Sequence, residues 1–157
     1  MTAPDPDFRR RVADSFARQG AMAHLGAALT KVDAGAVEIR LPFRPEVAQQ
    51  HGFFHGGVVA TIGDSAGGYA GYSLMPAGSS VLTVEYKINM LAPAKGDALV
   101  ARGKVVRSGR TLTVCTVEVF AEDQGRETLC SVMQQTLICL ADRPDGPANK
   151  QSQGATP

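Results

Sequence analysis

Neither sign of charge dominates this sequence. Sixteen Lys and Arg stand against fifteen Asp and Glu, a formal net charge of +1 over 157 residues. No basic block gathers into a footprint for a polyanion, so nucleic acid is not an expected partner. Cysteine is scarce and odd in number. Cys115, Cys130 and Cys139 lie inside apolar or alternating segments, so they read as reduced, packed thiols of a cytoplasmic protein and not as a disulfide framework. No Cys/His pair has zinc-finger spacing, and no structural zinc is expected. The N-terminal stretch carries Asp5, Asp7 and Arg9-Arg10-Arg11 but lacks the apolar run of a secretory signal.

Long hydrophobic runs are also missing, with one exception. Positions 56–75 are mostly apolar, with Gly63, Gly67 and Gly71 in GxxxG spacing, and a run of about twenty such residues is long enough to cross a bilayer. Asp64 sits in mid-segment, no Lys or Arg flanks the run, and alternating sequence follows it. Those features fit a buried helix of a soluble domain better than a membrane span.

The length suits one domain with a single sizeable core. We expect it over 1–141, with an N-terminal helical region in 1–20 and a disordered tail over 142–157, where Pro, Gly, Asn, Gln, Ser and Lys dominate. Within 7–19, Phe8, Val12 and Phe16 recur every fourth residue, the stripe of an amphipathic helix. Stretches 25–32 and 36–41 read as a hairpin about Asp33-Ala34-Gly35. The apolar helix follows, stopped by Pro76-Ala77-Gly78. Segments 81–91, 98–106, 111–121 and 128–140 alternate as strands, the first with Leu82, Val84, Tyr86, Ile88 and Met90 on one face and Thr83, Glu85, Lys87 and Asn89 on the other. A helix apolar nearly all round must be wrapped on most sides. The economical α+β solution is a curved antiparallel sheet around it, with Gly63, Gly67, Gly68 and Gly71 permitting close approach.

Gly63-Asp64-Ser65-Ala66-Gly67 matches the G-x-S-x-G elbow of serine hydrolases literally. The elbow needs a strand-to-helix turn and a histidine downstream. Ser65 falls inside the helix, and His24, His51 and His55 all precede it, so that chemistry is excluded. What remains is His55-Gly56-Gly57 at the helix start and Asp64 within it. Backbone N–H groups at a helix N-terminus are unsatisfied donors at the positive end of the macrodipole, suited to a carbonyl oxygen gaining negative charge. An ionisable Asp64 on an apolar helix is costly unless it is paired or used. Taken singly, a capping glycine pair and an Asp bound to Ser or Thr account for them better than a catalytic role does. Eight helical residues separate Gly56 from Asp64, about 12 Å along the axis, too far for both to serve one carbonyl. A shared site therefore combines Gly56 of one protomer with Asp64 of another, as a two-fold dimer with paired helices would provide.

Gln49 and His55-Gly56-Gly57 followed by Asp64, then Thr83 to Ala94 (TVEYKINMLAPA) and Arg107 to Leu112 (RSGRTL), together resemble the PaaI-like hotdog-fold acyl-CoA thioesterases over roughly 36–140. The resemblance implies a sheet wrapped round a central helix, a homodimer that commonly pairs again into a homotetramer, and hydrolysis of acyl-CoA thioesters. It assigns Asp64 as catalytic carboxylate, nucleophile or base, and the Gly56 N–H as carbonyl polariser with Gly57 beside it. Gln49 then lies near the thioester, Thr83 helps position water, and His55 orders the loop. Coenzyme A is implied along Met90 and Lys95 and along Arg107, Ser108, Gly109, Arg110 and Thr111. No metal or redox cofactor and no membrane are implied. Two other readings stay open: a hotdog hydratase or dehydratase pairing His55 with Asp64, and an acyl-CoA binding module without turnover.

Overall fold

The structure, a computed structural model, describes residues 1–146. In chain order it contains α1 (Phe8–Ala17), α2 (Gly20–Leu25), β1 (Ala28–Asp33), β2 (Ala36–Pro42), a 3-10 turn (Pro45–Val47), α3 (Gly56–Tyr72), β3 (Ser80–Met90), β4 (Ala98–Ser108), β5 (Leu112–Asp123) and β6 (Arg126–Leu140). The six strands form one antiparallel sheet in the order β1-β2-β4-β5-β6-β3. It curves around α3, as expected. α2 was not anticipated. Its six residues are closed by Gly26 at φ +76°, a left-handed position that suits glycine, and they bury Met22. Leu25 therefore ends a helix, and the first strand starts three residues later than expected. The expected tail falls largely outside the described residues. Positions 142–146 carry no helix or strand, and Asp145 pairs with Arg18 at 2.6 Å.

The glycines of α3 explain how a sheet can close so tightly on a helix. A Cβ at Gly63 would lie 3.2 Å from Met133 Cε, one at Gly67 2.0 Å from Gln135 Oε1, and one at Gly71 2.3 Å from Leu137 Cδ1. Every fourth residue of the helix thus rides over every second residue of β6, the two natural periods meeting in register. Gly68 is different. Outside its own stretch of helix no atom lies within 4 Å of the place its Cβ would take, so it does not serve the close approach to the sheet. Ile62, Ala66, Val117, Val119 and Leu137 complete a core with essentially no exposure. Among the described residues no helix is long and apolar enough to cross a membrane.

α1 lies across the C-terminal end of α3. Arg11 ion-pairs with Asp5 at 2.8 Å, stacks 4.3 Å over the Tyr72 ring and donates to the carbonyls of Tyr72, Met75 and Pro76 at 3.3, 2.7 and 3.1 Å. Cys115 and Cys130 are buried and unbridged. Burial pushes the Cys115 thiol up to about 12, so it is no nucleophile at neutral pH.

Candidate active site

The loop that delivers the chain to α3 is pinned at several points. Gln49 N–H donates to Phe53 O at 2.8 Å, Gly52 N–H to Gln49 O at 3.0 Å, Phe54 N–H to Ala94 O at 2.9 Å and His55 N–H to Val47 O at 2.9 Å. The Gln49 side-chain oxygen accepts from the His51 N–H, so this half-buried amide is engaged with its own turn. His55 is the N-cap of α3, with extended backbone, and its Nδ1 accepts from Gly57 N–H at 2.9 Å.

That bond separates the two candidate donors. Gly57 N–H is consumed by the cap, which leaves it no free hydrogen for another acceptor and ties the His55 ring to the start of the helix. Gly56 N–H meets no protein acceptor among the described residues, and Gly56 is exposed. It is the open donor at the positive end of the helix. Met90 lies beside it: a Cβ at Gly56 would be 3.5 Å from Met90 Cε.

Asp64 is partly buried two turns further along α3. Its Oδ1 accepts from Thr83 Oγ1 at 2.7 Å and from Gln135 Nε2 at 2.5 Å, and Gln135 Nε2 also reaches Thr83 Oγ1 at 2.9 Å. Simple alternation would turn Thr83 outward with Glu85, Lys87 and Asn89. A bulge between Thr83 and Glu85 changes the phase, so Thr83 opposes Leu137 and Tyr86 opposes Gln135, both in the inward file of β6. The outward polar Thr of the sequence pattern is thereby turned toward the carboxylate, a common use of bulges near functional groups. Gln135 escaped the sequence reading. The available signal was its phase: it falls between Met133 and Leu137 in the buried file of β6, where a carboxamide needs partners. Ser65 lies inside α3, with its Oγ 3.4 Å from Gln19 Oε1, and no histidine side chain is bonded to it.

The remaining candidates divide between the two ends of the sheet. Lys95 follows Ala94, which is bonded to Phe54 near Gly56. Arg107, Ser108, Gly109, Arg110 and Thr111 form the end of β4 and its turn into β5, where Gly109 N–H donates to Leu112 O at 2.8 Å. Residues 107 and 108 are level with Thr136 and Leu137 through β5, hence near the Asp64 end. The eleven residues of β4 separate the two groups by about 30 Å. One chain therefore does not unite them.

The two sheet edges also differ. On β1, Lys31 and Asp33 pair at 3.3 Å, and Arg9 joins Asp33 at 3.1 Å. On β3, Leu82, Val84 and Met90 are 55%, 56% and 51% exposed, an open edge strand with an apolar surface. Among the described residues no three His, Cys, Asp or Glu side chains cluster as metal ligands would.

Residues 51–128 match the family described as the thioesterase superfamily. The crystal structure of a thioesterase family protein from Silicibacter pomeroyi is 46% identical, with a TM-score of 0.84 over 85% of this chain and 98% of that one. A protein of Halobacterium salinarum named as a provisional esterase is 32% identical over 76% of this chain and 82% of its own length. The E. coli PaaI protein from the phenylacetic acid degradation operon shares the fold, with a TM-score of 0.76 at 19% identity over 86% of this chain and 94% of that one.

Proposed function

The chain belongs to the thioesterase superfamily and has its hotdog fold, and from that premise we propose that it hydrolyses acyl-CoA thioesters in the cytoplasm, at sites built between two copies of itself. The observation that carries this reading is the pairing of one open helix-end donor, Gly56 N–H, with one restrained carboxylate, Asp64, whose Oδ2 has no protein partner among the described residues. Asp64 acts at the thioester carbonyl, as nucleophile or as the base that takes a proton from attacking water. Either route places negative charge on the carbonyl oxygen. Gly56 N–H receives that charge, and coenzyme A leaves as thiolate. The chemistry uses no metal or redox cofactor; coenzyme A enters as part of the substrate.

The two groups lie about 12 Å apart along one helix, so a second protomer must complete each site. The apolar edge of β3 supports a homodimer. A two-fold axis beside that edge sets the two α3 helices antiparallel, bringing the Gly56 end of one toward Asp64 of the other. It also brings Met90 and Lys95 of one copy toward Arg107 to Thr111 of its mate, which gives a coenzyme A site its basic groups. The hydratase alternative loses support: His55 Nδ1 accepts from Gly57 N–H, so the neutral ring carries its proton on Nε2 and offers no free basic nitrogen to a substrate. Thiol release from a panel of acyl-CoAs tests the proposal: wild type turns over at least one class, and Asp64→Ala abolishes turnover. Equal rates in both would remove Asp64 from the reaction.

A further inference from the structure

Gln135 is the most deeply buried carboxamide near the site, with 0% exposure, and its position is costly. Its Oε1 has no hydrogen-bond partner. Orphaning a buried acceptor is destabilising, and its neighbours in the same file, Met133 and Leu137, show that an apolar side chain would fit β6 there. Its Nε2, in contrast, is crowded with acceptors: Asp64 Oδ1 at 2.5 Å, Thr83 Oγ1 at 2.9 Å and Asp64 O at 3.1 Å. With Thr83 Oγ1 donating to Asp64 Oδ1 at 2.7 Å, these contacts close a triangle on one carboxylate oxygen. Gly67 makes the arrangement possible, since a Cβ there would sit 2.0 Å from Gln135 Oε1.

Taking Asp64 as the working carboxylate, as proposed above, we propose that Gln135 is a positioning residue: it holds Asp64 through Oδ1, directly and through Thr83, so that Oδ2 is the oxygen presented to the thioester. Gln135 touches no substrate. It acts by fixing which oxygen is spent on the protein and which is left for chemistry. The orphaned Oε1 is the energetic cost of placing an amide donor where packing alone would choose an aliphatic group.

Gln135→Met, similar in length and without a donor, separates this role from a structural one. We expect kcat to fall about 10- to 100-fold through misplacement of the carboxylate, with KM little changed and thermal stability equal to wild type or higher. Gly67→Ala, which displaces the amide while keeping Gln135, should lower kcat in the same way. A crystal structure of Gln135→Met should show the Asp64 carboxylate turned from its wild-type orientation. Unchanged kcat in Gln135→Met, or a loss accompanied by a matching drop in stability, overturns the proposal. If wild type releases thiol from none of the acyl-CoAs, the thioesterase reading fails by itself. The variant structure then decides the positioning role: a displaced Asp64 supports it, and an unmoved Asp64 overturns it.

Discussion

The two ends of α3 carry opposite solutions to the same problem. Every helix leaves carbonyls unsatisfied at its C-terminus and N–H groups unsatisfied at its N-terminus. At the C-terminal end the protein satisfies them fully. The N–H groups of Ser73, Leu74 and Met75 donate to Tyr69 O, Gly71 O and Tyr72 O at 3.0 Å each and Ser73 Oγ to Ala70 O at 2.6 Å, while Arg11 stacks on Tyr72 and donates to Tyr72 O and, just past the helix, to Met75 O and Pro76 O. At the N-terminal end His55 caps Gly57 and leaves Gly56 N–H open. One end is sealed by a guanidinium held in an ion pair, and the other keeps a single exposed donor on the positive pole. The difference is between an end closed by the protein's own groups and an end where the protein leaves one N–H unspent.

Substitutions can break that comparison one end at a time. Of changes at the two helix ends, the larger effect on activity is expected from Gly56→Pro, which removes the N–H alone. Position 56 is the first residue of the helix, where proline fits, and His55 at φ −65° and ψ 136° already has the extended backbone a following proline requires. Turnover should fall about 10²–10³-fold, as for loss of one oxyanion donor, while the melting temperature holds. Steady-state kinetics beside a thermal melt checks both.

Arg11→Ala should do the reverse. Stability drops by about 2–4 kcal/mol as buried charge-assisted bonds are lost and Asp5 is stranded, while turnover per folded molecule stays near wild type. Denaturant titration measures the first quantity and kinetics below the transition the second. A smaller effect is expected from alkaline pH on the same sealed half. Burial raises Cys115 from 9.0 to about 12 and Tyr69 from 10.0 to about 12 despite the Ser15 hydroxyl beside it. Both are neutral in folded and unfolded chains below their ordinary values, so nothing is lost there. As pH climbs from about 9 toward 12 the unfolded chain ionises first, and stability declines across that window. The slope of unfolding free energy against pH should flatten in Cys115→Ala.

Much of this arrangement was legible beforehand because it depends on local periods. The apolar run, its proline and glycine stop, and the spacing of Gly63, Gly67 and Gly71 follow from helical geometry, and the hairpins announce themselves at Gly35, Gly109 and Gly125. Thr83 was harder. Its direction depends on a bulge that no alternation pattern shows, because the extra residue is set by pairing with β6. Gln135 was hidden for a related reason: its inward phase is visible, but its partners come from α3 and β3, far away in sequence. The division of labour between Gly56 and Gly57 rests on one side-chain rotamer of His55. The short α2 carries too few residues for a periodic signal to emerge.

Mixing two impaired variants tests the shared site most directly. Gly56→Pro and Asp64→Ala are each expected to keep at most about a hundredth of wild-type turnover; unfolded and refolded together in equal amounts, they form heterodimers in half of all dimers. Each heterodimer has one site with both defects and one with neither, so about a quarter of wild-type turnover should return if Gly56 and Asp64 of different subunits meet. No recovery, with heterodimers shown to be present by mass, would place both groups in one subunit's site and contradict the account.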